Sequence, residues 1–221
     1  MTRKSVALAA MLVVATLAAI SAAVALSLPA DAQLPTHWSL SGEADGFAGK
    51  CRALLIPPLM VAALSLLFFF LPALEPRKQG LERSQSFYLW SWIAVLLMGA
   101  VMELTVVSVA LRWPIHATSL IMGGIGAMLV LIGNQLGKTR SMYLIGFRTP
   151  WTLASEEVWI KTHRLAGKLM VGGGIVTMVS ALLRFPSGLA ATIMVATVAV
   201  VAGVPIVYSY LLWRRERQVS E

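Results

Sequence analysis

Apolar residues in this chain come in long blocks separated by shorter polar stretches. Six blocks qualify as spans, at 5–28, 54–71, 87–111, 115–132, 165–183 and 189–213. Each reaches the roughly 18 residues that a helix needs to cross the hydrocarbon core of a bilayer. None alternates polar and apolar positions as the strands of a membrane barrel do. The pattern predicts an all-α fold, a polytopic transmembrane bundle of about six helices. One long segment breaks the rhythm. Residues 134–164 mix Lys138, Arg140, Arg148, Lys161 and Arg164 with Tyr143, Phe147, Trp151 and Trp159, and carry the adjacent acids Glu156 and Glu157.

Composition agrees with the pattern. Of 221 residues, 58% are hydrophobic and 13% charged, with a mean hydropathy of +0.78; a soluble domain carries about 25% charged residues. The net charge of +8 raises a nucleic-acid reading that its distribution removes. With the amino terminus in the cytoplasm, 14 of the 18 Lys and Arg lie on cytoplasmic stretches, and only Lys50, Arg52, Arg112 and Arg184 lie outside. The positive-inside rule accounts for that asymmetry with no nucleic acid bound directly. Both termini and the 134–164 loop are therefore expected in the cytoplasm.

The first block follows Arg3 and Lys4 and precedes Ala30-Asp31-Ala32, as in a cleaved secretory signal. It is longer than the roughly 7–15 residues of a signal's apolar core, so it is expected to remain as a helix; cleavage would leave five. Cys51 is alone and forms no internal disulfide or thiol metal pair. In the outer loop, Pro29 and Pro35 stop the helix, Asp45-Gly46 is expected to make a tight turn, and Trp38 to sit at the interface. His37, Glu43 and Asp45 are metal-ligand types, but their spacing matches no metal motif, so neither metal nor cofactor is expected. The order Pro35-x-His37-Trp38, Gly42, Asp45 resembles the signature of a small bacterial membrane domain of unknown function that precedes SdpI-like immunity proteins.

Within the membrane, Pro57-Pro58 marks a kink or a helix start whose freed carbonyls must be met by neighbours. The stretch 72–86 reads as a solvated connector, and Trp90 and Trp92 as interfacial anchors. Glu103 lies deep in the third block. A carboxylate there costs about 2.5–3.5 kcal/mol, so it must face the bundle interior with a partner or be protonated. It either pairs helices or lines a polar outer cavity, with Arg112, His116 and Arg184 at the same outer edge. Gly123, Gly124, Gly126, Gly133 and Gly137, and again Gly172-Gly173-Gly174, allow close helix approach. Pro205 is expected to bend the last helix. No duplication of three-helix halves is evident, which weakens a small-transporter reading.

In the central segment, Pro150 disfavours helix at Thr149, so 145–150 is expected as a turn or short extended piece. Ser155 suits a helix cap, with Glu156 and Glu157 at the positive end of the dipole. From there Val158, Trp159, Thr162, Leu165, Ala166 and Leu169 form an apolar side, and Glu157, Lys161, Arg164 and Lys168 a polar one. This predicts an amphipathic helix on the inner surface that runs into the fifth span. His163 with Glu156 or Glu157 would be a base with carboxylate support, but seven residues is two helical turns, and no nucleophile with a base accompanies them. An enzyme is therefore not expected.

The pattern Asn134, Gly137-Lys138, Gly146-x-Arg148-Thr149-Pro150-Trp151-Thr152-Leu153, Ser155-Glu156-Glu157-x-Trp159, Thr162-His163-Arg164-x-x-Gly167 resembles the hallmark stretch of the SdpI family. The resemblance divides the chain into a two-helix unit, 1–86, and an SdpI-like four-helix unit, 87–221. It implies a multi-pass protein of the bacterial cytoplasmic membrane that protects its host from a secreted peptide toxin, possible partners being that peptide outside and a winged-helix repressor inside. Asn134, Lys138, Arg148, Thr149, Pro150, Trp151, Glu156, Glu157, Trp159, His163 and Arg164 then form the docking motif. His37, Trp38, Asp45, Glu103 and Arg112 form the outer polar site. A small multi-pass transporter or a membrane-embedded enzyme is the alternative.

Overall fold

The computed structural model describes residues 1–39 and 42–220. The chain runs α1 (Arg3–Ser27), β1 (Gln33–Trp38), β2 (Ala44–Gly49), α2 (Lys50–Leu74), α3 (Lys78–Arg83), α4 (Gln85–Ala110), α5 (Ala117–Leu136), α6 (Pro150–Ala154), α7 (Glu156–Leu182) and α8 (Ser187–Ser220). Six of these helices are long and apolar enough to cross a membrane, so the chain is a polytopic helical bundle with one small hairpin. The β-hairpin sits at one end, here the hairpin face. Both termini lie at the other, the terminal face.

Elementary helix chemistry sets the first two helices. Thr2 and Ser5 cap α1 reciprocally, Ser5 N–H donating to Thr2 Oγ1 at 3.2 Å and Thr2 N–H to Ser5 Oγ at 3.0 Å, which satisfies amide donors left free at a helix start. At its other end, Lys50 Nζ donates to the carbonyls of Ala25 and Leu28 at 2.7 and 2.6 Å, placing a cation at the negative pole of α1. Helix α2 neither starts nor breaks at its prolines. It runs through Pro57, Pro58 and Pro72, because side chains from neighbouring helices meet carbonyls that a proline leaves unpaired four residues earlier. Ser21 Oγ contacts the Leu54 carbonyl at 2.8 Å, opposite Pro58, and Tyr88 Oη donates to the Phe68 carbonyl at 2.6 Å, opposite Pro72.

The hairpin pairs antiparallel from Gln33↔Gly49 to Trp38↔Ala44, with irregular register around His37. Its turn is not at Asp45-Gly46, which lie within β2. The chain reverses between Ser39 and Glu43, where Gly42 takes φ +84° and Ser39 N–H donates to the Glu43 carbonyl at 2.8 Å. Burial of Leu34 and Pro35 holds the register, and Gly42 supplies the positive φ that Gly46 does not. The tip at positions 40 and 41 lies outside the described residues.

Helix α4 packs against α1, α2 and α5, and α7 lies between α5 and α8. The crossing of α5 and α7 is made of backbone. A Cβ on Gly126 would stand 2.7 Å from the Gly174 carbonyl, and one on Gly167 would stand 2.6 Å from that of Gly133. Gly123 and Gly172, by contrast, face open space.

A duplication is present, of two helices rather than three. The end of α4 reads Thr105, Ser108-x-x-Leu111-Arg112-Trp113-Pro114, and the end of α7 reads Thr177, Ser180-x-x-Leu183-Arg184-Phe185-Pro186. Ile121-Met122 on α5 matches Ile193-Met194 on α8 at the same offset. The geometry repeats as well. Thr105 and Thr177 hydroxyls donate four residues back, at 2.7 and 2.8 Å. Arg112 and Arg184 both turn left-handed, at φ 54° and 51°. Trp113 N–H then donates to Ser108 O and Phe185 N–H to Ser180 O, at 2.8 and 3.2 Å. Both helices end in the same six-residue closure, with arginine where glycine is usual. The hairpins α4–α5 and α7–α8 are thus parallel repeats.

Candidate functional site

On the terminal face, residues 137–155 fold into a knot tied by groups that the sequence reading passed over. Stretch 72–86 is not a solvated connector. Glu75, 2% exposed at the end of α2, accepts from the amides of Arg77 (2.9 Å), Tyr143 (3.0 Å) and Leu144 (2.9 Å). The Arg77 guanidinium donates to Ser141 Oγ, to Tyr143 Oη at 3.2 Å and to the Leu153 carbonyl at 3.3 Å, and lies 4.5 Å from the Tyr143 ring centre. Ser84 Oγ accepts from Arg140 N–H at 2.9 Å. Gly80 is required here, since a Cβ would meet the Ser141 carbonyl at 2.2 Å. One signal for Glu75 was legible: an acid at a helix C-terminus opposes the dipole and so needs donors from elsewhere.

The hallmark residues divide into internal staples and outward groups. Trp159 is buried and donates Nε1–H to Thr139 Oγ1 at 3.1 Å. His163, 0% exposed, stacks on Trp159 with ring centres 4.0 Å apart. Its Nδ1–H donates to the Trp159 carbonyl at 2.8 Å, and Nε2 accepts from Phe147 N–H at 2.9 Å. Both nitrogens are committed, which fixes the tautomer and leaves no lone pair for proton transfer. Gly146 makes this possible with φ +118°, because a Cβ there would stand 2.6 Å from His163 Nε2. Thr149 caps α6, and its hydroxyl lies 3.1 Å from Ser209 Oγ on α8. Trp151 packs on Tyr210 and Trp213, with ring centres at 5.1 and 6.5 Å. The piece expected as a turn or short extended stretch is non-helical through Thr149 and passes into a short helix at Pro150.

Ser155 caps α7 as expected, and Glu157 pairs with Lys161. The first turns of α7 are amphipathic and run on into the span, but their apolar side packs into the bundle. Val158, Trp159, Thr162, His163 and Ala166 are buried in the bundle, while Glu157, Lys161, Arg164 and Lys168 face outward. Glu156 accepts from Ser141 N–H at 3.2 Å and faces Arg140 Nε at 3.8 Å. Asn134, Lys138, Arg148 and Pro150 are exposed; Arg148 donates to the Tyr143 carbonyl at 2.7 Å and Lys138 to Gln135 Oε1 at 3.2 Å.

Toward the hairpin face, Glu103 is 2% exposed and its Oε1 lies 2.7 Å from Ser21 Oγ. Carboxyl, hydroxyl and the Pro58-freed Leu54 carbonyl form one node joining α4, α1 and α2. Among the described residues, Glu103 Oε2 has no hydrogen-bond partner and Arg112 makes no ion pair with Glu103. His37 Nδ1 and Asp45 Oδ1 meet at 2.5 Å on the exposed hairpin. Trp38 instead packs on an apolar layer that includes Leu54, Val106 and Val107. Glu103, the His37–Asp45 pair and Arg112 are thus three separate features. What the hairpin does cover is an apolar groove of about 260 Å³, lined by Trp38, Met102, Thr118, Met122, Ala190 and Met194. Thr118 and Met122 on α5 correspond by the repeat to Ala190 and Met194 on α8, so the groove is walled by equivalent positions of both copies.

Comparison with known proteins places these features. Residues 138–209 match the SdpI/YfhL protein family, and residues 11–62 match a domain of unknown function (DUF1648). The chain is 25% identical over 147 residues to Immunity protein SdpI of Bacillus subtilis (strain 168), covering 66% of this chain and 68% of that protein. No solved structure matches it. Glu75 and Arg77 lie between the two matched segments and tie to the second. This multi-pass membrane protein thus carries, at residues 138–209, a segment that matches the SdpI/YfhL protein family, with a segment that matches DUF1648 ahead of it.

Proposed function

We propose that this protein is an immunity protein of the bacterial cytoplasmic membrane, protecting its host from a secreted antimicrobial peptide. The likeness to Immunity protein SdpI over 147 residues carries the reading. The geometry offers a place for it. The methionine-rich groove beneath the hairpin opens on the face that the basic-residue asymmetry puts outside, and methionine walls adapt to varied apolar side chains. His37, Trp38 and Asp45 belong to its cover. Glu103 and Arg112 frame the helices around it rather than line it. Residues 1–86 and 87–221 are retained as two units, joined by the Glu75–Arg77 ties.

The second half of the proposal concerns signalling. The outward groups of the terminal face, Arg148, Glu157 and Arg164 with Asn134 and Lys138, dock a cytoplasmic winged-helix repressor. Expression in a toxin-sensitive host, followed by challenge with secreted peptide and by uptake assays, tests the first half. Protection without small-molecule uptake is expected; uptake without protection replaces immunity with transport. For the second half, pull-down of a DNA-binding protein should succeed with wild type and fail with Arg148→Ala, whereas equal recovery removes that residue from the docking face.

A further inference from the structure

A different concavity on the terminal face gathers more positive charge than the fold uses. It is lined by Pro76, Arg77, Lys78, Arg83, Arg140 and Glu156, among others, and encloses about 570 Å³. Four cations from two distant stretches of chain, 77–83 and 140, converge on it against one lining carboxylate. Glu156 is shared between Arg140 and the Ser141 amide. Glu75 stands behind the floor, its oxygens taken by three backbone amides. Glu82 lies in a separate hollow beside Arg3 and Tyr88. The Arg77 guanidinium donates to neutral groups and, among the described residues, makes no ion pair. Among the described residues, Lys78 and Arg83 have neither a hydrogen-bond nor an ion-pair partner, and both are exposed at the rim.

The placement narrows the ligand. The basin sits where α2 ends at Leu74 and α4 begins at Gln85, at the level where a membrane helix meets lipid headgroups. Basic pockets between membrane helices at that level hold phosphate headgroups. Arginine forks match phosphate oxygens in pairs, with lysine as a point charge beside them. We infer that this basin binds a phosphate-bearing anion, with Lys78 and Arg83 closing over it and Arg77 and Arg140 beneath. Its two sources are an anionic phospholipid of the membrane and free phosphate in solution. A bound phosphate would bridge 77–83 to 140–156 across the same seam that Glu75 ties from behind. The inference does not depend on the immunity reading.

The test uses the full chain in nanodiscs of phosphatidylcholine alone or of equal parts phosphatidylcholine and phosphatidylglycerol. A third arm titrates inorganic phosphate into the phosphatidylcholine discs, against chloride of equal ionic strength. Thermal unfolding followed by tryptophan fluorescence reads binding. Phosphatidylglycerol should raise the midpoint if the source is lipid, and inorganic phosphate should raise it if the source is soluble. The double variant Lys78→Gln/Arg83→Gln removes no contact of the fold. It should lose most of that rise, or need at least about tenfold more anion, as expected when two charge-assisted contacts are lost. Arg214→Gln/Arg215→Gln makes the same charge change on α8 and should keep the rise. Two results overturn the inference: no rise from either source, or equal loss in the two double variants.

Discussion

At the scale of single residues, the buried polar groups of this protein are connectors. His163 holds Phe147 N–H with one nitrogen and the Trp159 carbonyl with the other. His163→Leu strands the amide and should cost about 1–3 kcal/mol, seen as a lower unfolding temperature in detergent; an unchanged midpoint would contradict the staple role. Glu103 is held by Ser21. Glu103→Gln preserves a hydrogen-bonding group there and should melt close to wild type. Ser21→Ala leaves the Leu54 carbonyl without its contact and should lose about 1–3 kcal/mol; equal melting of Ser21→Ala and wild type would remove the node from the account. Glu103 was legible in the sequence because a lone carboxylate in an apolar block is conspicuous. Its partner was not, because Ser21 is one small residue in another helix.

Helix pairing is decided at the element scale by which glycines face which backbone. The sequence marks two glycine clusters but does not say which members are at contact. Gly167→Val places atoms against the Gly133 carbonyl and should separate α5 from α7, losing about 1–3 kcal/mol or more by overpacking. Gly172→Ala meets nothing and should be neutral or stabilising by about 0.5–1 kcal/mol, since alanine loses less backbone freedom than glycine in a helix. Comparable melting losses from the two substitutions would disprove the crossing described above. The paired ends Leu111-Arg112-Trp113-Pro114 and Leu183-Arg184-Phe185-Pro186 were readable from the start, but only when the repeat is sought as two helices. Their common function, ending a helix in left-handed geometry at arginine, becomes visible only in the backbone.

At the scale of the whole molecule, the Glu75–Arg77 ties join the stretch after the amino-terminal helices to the hallmark loop. Glu75→Ala frees the amides of Tyr143 and Leu144 and should expose 141–149 to limited proteolysis while the six helices persist by circular dichroism. Resistance equal to wild type would show that the loop is held without Glu75. The sequence by itself determined the membrane class, the number of spans, the polar side of α7 and the family motif, because block hydropathy, charge asymmetry and spacing are properties of the chain read in line. Tertiary structure alone decided where the hairpin turns and that the apolar side of the first turns of α7 packs into the bundle. It also decided that the outer polar residues stand apart and that most hallmark residues bind the fold to itself. The physical reason is that a membrane interior leaves no water to satisfy a buried amide, carbonyl or carboxyl. Each must find its partner wherever the fold brings one, and that address is not written next to it in the chain.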